Sequence, residues 1–382
     1  MKYWRGFLIA GLISAFGWGL VEFAKSHITL MDMVYPYMSR MIMTSMAEWS
    51  SQVDFCIWQV LLVCLVVLVL ASAVLMIVLK WNVIQWAGWV AASACLISFV
   101  NLGVYGLNSY SGNLKDDIRL EVSEYSISQL EEATRYYRDQ ANTLAGKVSR
   151  DADGNVQYAE FEDLAQQAAD GFESLVYDEG MSIFAGSLLP VKALGAQDIY
   201  GDVAGITVGI TGESAVNTEN PDLIQPFVMC REMARRMTIT SDRDSAYASV
   251  LACSANSSRE FQYSGYFMAY RMCYEALAAN PATAAKSAAQ RVSQGENVDL
   301  ARDMQWYTEQ YGVTDSNTYL ENEKVTEDTV YDMLVNKYIQ EEVLPNQVEP
   351  ESKFDPLDET QVDLSTTIND ITETEEATEG GE

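Results

Sequence analysis

The chain has 382 residues, with 54 Asp or Glu against 24 Lys or Arg and a formal net charge of −30. Residues 1–106 contain five of the basic and four of the acidic residues, so almost all of the excess negative charge lies after them. This balance disfavours nucleic acid as a partner, since binding to phosphates depends on Lys and Arg, and the single histidine, His27, excludes a His-based triad, dyad or zinc site in the residues that follow it.

Three apolar runs near the N-terminus predict transmembrane helices, because about 20 apolar residues span the core of a bilayer. The runs are Gly6–Phe23, Phe55–Leu79 and Val83–Leu107. A signal peptide is the alternative for the first run, but no small-x-small cleavage site closes it. We therefore predict a membrane domain at residues 1–107, with the lipid bilayer as partner.

The basic residues around these runs predict the orientation, because Lys and Arg favour the cytoplasmic side. Lys2 and Arg5 precede the first run, and Lys80 lies in the short turn between the second and third. We therefore expect a cytoplasmic N-terminus and, after three crossings, an outer domain. Lys25 and Arg40, between the first two runs, count weakly against this orientation.

Residues 28–51, between the first two runs, are rich in Met, Tyr and Trp and contain only three charged residues. Aromatic and other amphipathic side chains favour the boundary between lipid and water. We expect this segment to lie at the membrane interface.

After the third run the pattern becomes that of a water-exposed helical domain, predicted at residues 108–345. One stripe at helical spacing indicates a helix near residues 128–148, which Ser128 and Glu131 are expected to begin as a capping box. Helices are predicted to resume at Pro226, with further ones at Ser241–Cys253, Ser264–Ala279, Pro281–Ser293, Glu296–Tyr311 and Thr326–Ile339.

Two segments of this part of the chain are not predicted to be helical. Alternating apolar residues and glycines from Pro190 to Asn217, among them Ile199 and Gly201, indicate one small β element. Residues 346–382 are strongly acidic and are predicted to form a disordered tail.

The stretch from Arg150 to Glu162 partly matches the spacing of a calcium-binding loop. Oxygen-bearing side chains stand at loop positions one, three, five, seven and twelve: Asp151, Asp153, Asn155, Gln157 and Glu162. The sixth position requires a sharp turn and is normally Gly, but here it is Val156. The pattern therefore favours an Asp-Gly-Asn turn before an acidic helix over a calcium site.

Four short motifs follow one another between Gly205 and Leu277. They are Thr211-Gly212-Glu213, Arg231-Glu232-Met233-Ala234-Arg235, Arg243-Asp244-Ser245-Ala246 and Tyr263-Ser264-Gly265-Tyr266. In this order they resemble a bacterial family of membrane-anchored metallopeptidase-like proteins, known as domain of unknown function 3810. Tyr105-Gly106-Leu107-Asn108 also fits that family. The resemblance implies a mainly α fold, with three N-terminal transmembrane helices followed by a zincin-like extracytoplasmic domain at the bacterial plasma membrane. It also implies that Tyr263-Ser264-Gly265-Tyr266 opens the third helix of the motif region, after the two helices that carry the preceding motifs.

The resemblance also implies where the zinc would be bound, in a His-Glu-x-x-His motif and by an acid on the next helix. Glu232 occupies the place of the general base, and Asp244 that of the third ligand. Both histidine positions are arginine, Arg231 and Arg235. A guanidinium stays protonated and has no lone pair for a metal, so we predict that the zinc site is lost and that no cofactor is bound.

These departures favour a catalytically inactive pseudo-peptidase that serves as a binding or scaffold module at the bacterial cell envelope, with an envelope protein or peptide as candidate partner. A divergent hydrolase that uses Glu232 and Asp244 without zinc is one alternative, and a purely structural envelope protein is another. We further hypothesise that Arg231 and Arg235 pair with Glu232, Asp244 or Glu213 and replace the charge of the metal.

The predicted orientation can be tested with a topology reporter fused after Ser352. Three crossings from a cytoplasmic N-terminus place this fusion outside, so a periplasmic reporter should be active and a cytoplasmic one inactive. Activity of the cytoplasmic reporter would contradict the orientation.

Overall fold

The computed structural model describes residues 2–111, 114–196, 203–311 and 329–347. The chain divides into two compact units, Met1–Ile339 and Gln340–Glu382. Most of the predicted acidic tail, residues 348–382, lies outside the described residues, as do Ile199, Gly201 and the first residues of the helix predicted from Thr326.

The first unit begins with four long helices: α1 Arg5–Ser26, α2 Ile28–Ser50, α3 Ile57–Val78 and α4 Val83–Val104. Of these, α1, α3 and α4 are long and apolar enough to cross a membrane, as the sequence predicts. The third predicted span ends three residues early, because the chain turns into a 3₁₀ helix at Gly106–Tyr110.

α2 is a helix that the sequence pattern does not predict. The segment expected only to lie at the membrane interface forms 23 residues of continuous helix, with Pro36 inside it. Proline lacks an N–H donor and usually ends or kinks a helix, so a sequence-based prediction stops there. Contacts on both sides of this proline hold the helix, because Met31 is buried against Ala24 and Leu107, and the hydroxyl of Ser39 donates to the carbonyl oxygen of Val104.

α1 and α4 lie backbone to backbone. A Cβ atom on Gly6 would lie 2.3 Å from the carbonyl carbon of Gly88, and one on Gly17 would lie 3.5 Å from the Phe99 ring. Small residues allow such close approach between membrane helices. The second contact lies closer to the C-terminus than the first on both helices, so α1 and α4 run parallel.

The remaining helices of the first unit form the helical domain. They are α5 Leu114–Asp117, α6 Ile127–Ala145, α7 Phe161–Tyr177, α8 Gln225–Arg236, α9 Asp242–Ala255, α10 Arg259–Ala279, α11 Thr283–Ser293, α12 Val298–Tyr311 and α13 Val330–Tyr338. In the second unit, α14 spans Leu344–Gln347. The mainly helical prediction is thus confirmed, although the helix boundaries shift by a few residues.

Two motifs that are expected to begin helices lie elsewhere in the structure. The capping box of α6 is formed by Ser126 and Gln129, not by Ser128 and Glu131, because the hydroxyl of Ser126 is the one that accepts the free backbone N–H of the first turn. The motif Tyr263-Ser264-Gly265-Tyr266 lies in the second turn of α10, which begins at Arg259.

A three-stranded sheet lies beside these helices, as the predicted β element requires. Its strands are β1 Lys192–Ala193, β2 Gly205–Val208 and β3 Glu213–Val216, in the order β1-β3-β2. β1 is parallel to β3, and β2 is antiparallel to it with Val208 opposite Glu213. β3 is fully buried, so the sheet is covered on both faces at its centre.

α9 lies at the centre of the core and packs on α7, α8 and α10. α7 approaches α9 closely at Gly171, where an added Cβ would lie 1.9 Å from the carbonyl oxygen of Ala252. No side chain fits between the two backbones at this point.

Replacing Gly171 by alanine should therefore force α7 and α9 apart. We expect a loss of about 1–3 kcal/mol in the free energy of unfolding of the full-length protein in detergent, the cost of overpacking a close-packed core. Circular dichroism during denaturation measures it. The matched control is the exposed neighbour Asp170→Ala, for which less than about 0.5 kcal/mol is expected. An equally small effect of Gly171→Ala would show that the helices are not in contact.

Candidate functional site

The arginine-containing motif lies on α8, which is buried along almost its whole length. Pro226 occupies the first turn, where its missing N–H costs no hydrogen bond. β2 and β3 cover one side of α8, and α7, α9 and α10 contact it elsewhere. As a result Arg231 is only 6% exposed and Glu232 is completely buried.

Both carboxylate oxygens of Glu232 accept hydrogen bonds. Oε1 accepts from Nη1 of Arg235 at 3.0 Å and from Nη2 of Arg231 at 3.3 Å. Oε2 accepts from the hydroxyl of Thr207 at 2.9 Å. A buried carboxylate must be paired and hydrogen-bonded to remain charged, and Glu232 meets that requirement through two cations and a hydroxyl.

The sheet is shaped to receive this side chain. A Cβ on Gly205 would lie 2.7 Å from Cγ of Glu232, so only glycine allows β2 to approach so closely. The backbone carbonyl of Glu232 accepts from the hydroxyl of Ser214 on β3 at 2.8 Å. Glu232 is therefore fixed at both its backbone and its side chain.

Arg235 bridges Glu232 to the next helix, because its other terminal nitrogen donates to the carboxylate of Asp242, the first residue of α9. Its side chain is 19% exposed, and its Nε is buried without a hydrogen-bond partner. Burial alone would lower the pKa of this guanidinium, but the charges of Glu232 and Asp242 outweigh burial and raise the pKa. Arg235 thus joins α8 to α9 as a permanent cation.

Tyr105 is a site residue that the motif spacing does not indicate. It directly follows the apolar helix α4, and a Cβ on Gly209 would lie 2.3 Å from its Cβ. Burial raises the pKa of its phenol, and the nearby charges of Glu232 and Asp242 raise it further, whereas Arg235 lowers it. The end of α4 therefore forms one side of the Glu232 centre.

Asp244, expected in the place of a third zinc ligand, lies in the first turn of α9. Its N–H donates to the hydroxyl of the N-cap residue Ser241 at 2.9 Å. Its carboxylate accepts from Nε of the neighbouring Arg243 at 2.7 Å. The acid on α9 that pairs with Arg235 is thus Asp242, two residues earlier than the hypothesis proposed.

Glu213 is paired elsewhere than the hypothesis proposed. Its buried carboxylate accepts from the backbone N–H groups of Ile57 at 2.8 Å and Trp58 at 2.9 Å, at the start of α3, and it pairs with Lys192 at 2.8 Å. The first N–H groups of a helix have no partner within the helix and carry partial positive charge. Glu213 therefore caps α3.

The rest of the Thr-Gly-Glu motif belongs to the same junction. Gly212 has φ +64°, and a Cβ there would lie 2.6 Å from the backbone of α2 at Met43 and Ala47. Lys192 also donates to the carbonyl oxygens of Ser50 at 2.7 Å and Phe55 at 2.9 Å. The motif joins the sheet to α2 and α3.

The stretch that partly matches a calcium-binding loop forms a turn, which hydrogen bonds between its own residues hold in place. Oδ1 of Asp151 accepts from the N–H groups of Asp153 at 2.9 Å and Asn155 at 2.8 Å, and Gly154 adopts φ +86°. The Asn155 side chain donates to Asp151 and lowers the pKa of its carboxyl. Glu162 lies exposed in the first turn of α7. Among the described residues, no group of three or more His, Cys, Asp or Glu is arranged to hold a metal ion.

These features define a mainly helical protein whose apolar N-terminal helices are joined to a domain with a small sheet. The model of the family described as "Protein of unknown function (DUF3810)" matches residues 31–339, and the chain belongs to that family. No curated protein and no solved structure matches the chain.

The bridge between α8 and α9 predicts the effect of Arg235→Ala. This change leaves the buried Glu232 with a weaker set of partners and frees Asp242, so we expect a loss of about 3 kcal/mol in the free energy of unfolding of the full-length protein. Arg302→Ala is the matched control, since Arg302 forms a helical ion pair with Asp299 that is largely exposed, and it should cost less than about 1 kcal/mol. Equal effects of the two changes would contradict a buried bridge.

Proposed function

We propose that this chain is a membrane-anchored, catalytically inactive metallopeptidase-like protein, a pseudo-peptidase that acts as a binding or scaffold module of the bacterial cell envelope. The observation that carries the proposal is the state of Glu232, whose two carboxylate oxygens are occupied by Arg231, Arg235 and Thr207.

These partners do not provide what a metallopeptidase needs, which is lone pairs for a metal and a free general base. A general base must present a free lone pair to a metal-bound water. Arg231 and Arg235 stand in the two histidine positions, donate to Glu232 and offer no lone pair to a cation. Their positive charges also repel a divalent metal. The arrangement therefore supports a structural role for Glu232, and it does not favour the alternative of a zinc-free hydrolase that uses Glu232 and Asp244.

The domain is proposed to lie outside the cytoplasm. α1 and α4 run parallel, so they start on the same side of the membrane, which is the side that carries Arg5 and Lys80. The opposite side holds the junctions of Glu213 with α3 and of Tyr105 with the Glu232 centre. Because basic flanks favour the cytoplasm, this arrangement supports a cytoplasmic N-terminus and a multi-pass protein with its helical domain on the outer face.

The inactive state can be tested on the full-length protein, purified in detergent without chelator. We expect zinc far below one ion per chain and no hydrolysis of casein above the rate of a Glu232→Gln control. Stoichiometric zinc, or hydrolysis that Glu232→Gln abolishes, would contradict the proposal. An envelope protein that co-purifies in constant stoichiometry supports a binding module over a purely structural component.

A further inference from the structure

One face of α2 is apolar and exposed, although the helix is packed against the protein on its other side. Six residues at the spacing i, i+3, i+4, i+7, i+8 and i+11 share this face and are between 43% and 70% exposed. They are Leu30, Met33, Val34, Tyr37, Met38 and Met41. Asp32 and Arg40, the charged residues in this part of α2, lie outside this face. We call these six residues the α2 apolar face.

The opposite side of α2 is fixed by the protein. Ser39, Met43, Ala47 and Ser50 are buried at a spacing of three to four residues. The hydroxyl of Ser39 donates to the carbonyl of Val104, at the end of α4, at 2.6 Å. Nearer its C-terminus, α2 contacts the Gly212 corner and Lys192. The helix therefore extends from the end of α4 to the corner of the sheet, and it cannot turn its apolar face inward.

The connections of α2 keep this face beside the membrane. A single residue, His27, separates α2 from α1, and six residues separate it from α3. With about 1.5 Å per residue, α2 is roughly 34 Å long. Met31, on the inner side of α2, packs on Ala24 near the end of α1, and the hydroxyl of Tyr35 donates to the carbonyl oxygens of Leu102 at 3.3 Å and Gly103 at 3.1 Å in the last turn of α4. α2 therefore lies beside the ends of two helices that are long and apolar enough to cross a membrane.

We propose that the α2 apolar face is a bilayer-contact surface, which lies along the membrane and inserts between the headgroups and the first acyl carbons. Exposed Leu, Val and Met side chains gain free energy by leaving water, and Tyr is favoured at the headgroup level. Because α2 packs beside the last turns of α1 and α4, two helices that are long and apolar enough to cross a membrane, lipid is the neighbour that this face meets. The inference is independent of whether the Glu232 centre is inactive.

The consequence is that the sheet corner and the Glu232 centre lie at the membrane surface. α2 contacts Gly212 directly, and the chain runs from Gly212 into β3. There the hydroxyl of Ser214 donates to the backbone carbonyl of Glu232. A partner that reaches this centre must approach close to the lipid headgroups.

The test places nitroxide labels on the full-length protein in phosphatidylglycerol–phosphatidylcholine vesicles. An unnatural amino acid carries the label, so the six native cysteines stay unchanged. Positions 37 and 41 report on the α2 apolar face. Position 32 on the other side of the same helix and the exposed position 132 on α6 are the matched controls. Power-saturation measurements compare collisions with oxygen, which concentrates in lipid, and with a water-soluble nickel chelate.

We expect oxygen collisions to dominate at positions 37 and 41 and nickel collisions to dominate at positions 32 and 132. Nickel-dominated collisions at all four positions would overturn the inference, because the face would then lie in water. Strong dipolar broadening between labels at position 37 at a low protein-to-lipid ratio would also overturn it, because the face would then bind a second copy. Loss of folding in one labelled variant is detected by circular dichroism, and the other position on the face then decides the result.

Discussion

A carboxylate that is completely buried needs a positive partner, and this requirement organises the centre of the helical domain. Glu232 cannot be solvated where it lies, so its charge is tolerable only because Arg235, Arg231 and Thr207 donate to it. Arg235 extends the same pairing to Asp242 and thereby joins α8 to α9. A divalent metal held by ligands from two helices would satisfy the same electrostatic and geometric need. The arginine network provides the charge from side chains that have no lone pair to offer a metal.

Another buried ion pair, Lys192–Glu213, organises the boundary between the domain and the apolar N-terminal helices. Glu213 accepts hydrogen bonds from the first N–H groups of α3, while Lys192 donates to carbonyl oxygens that precede that helix. Both residues lie on neighbouring strands of the sheet, and β3 continues to Ser214 beside Glu232. The sheet therefore lies between the apolar N-terminal helices and the Glu232 centre and contacts both. Replacing either member of such a pair leaves a buried charge unpaired, which is far costlier than losing a surface pair.

The sequence predicts those features that local patterns determine. The three apolar runs are long enough to identify α1, α3 and α4 without tertiary information, and the stripe of α6 identifies its buried face. α2 escapes prediction because Pro36 and a mixture of exposed and buried apolar residues obscure its period. The start of α6 is displaced by two residues, because Ser126 and Ser128 are equally suitable caps and only the tertiary packing selects one of them.

The partners of the site residues are less predictable than their positions, since pairing depends on contacts between distant segments. The motif identifies Arg231, Glu232 and Arg235, but nothing local distinguishes Asp242 from Asp244 as the acid that Arg235 meets. Glu213 stands close to this motif along the chain, yet two of its partners are backbone N–H groups at the start of α3, more than 150 residues earlier. Tyr105 is likewise brought to the centre by α4, and no spacing rule could indicate that.

The most direct test of the central claim is a double-mutant cycle between Glu232 and Arg235, measured by denaturant unfolding of the full-length protein in detergent. The cycle compares Glu232→Gln, Arg235→Ala and the double variant. If the two side chains form a buried pair in place of a metal centre, their coupling energy should be at least about 1 kcal/mol, so that the double variant loses much less stability than the two single changes together. Additivity within about 0.5 kcal/mol would show that Arg235 does not stabilise the buried carboxylate and would contradict the account.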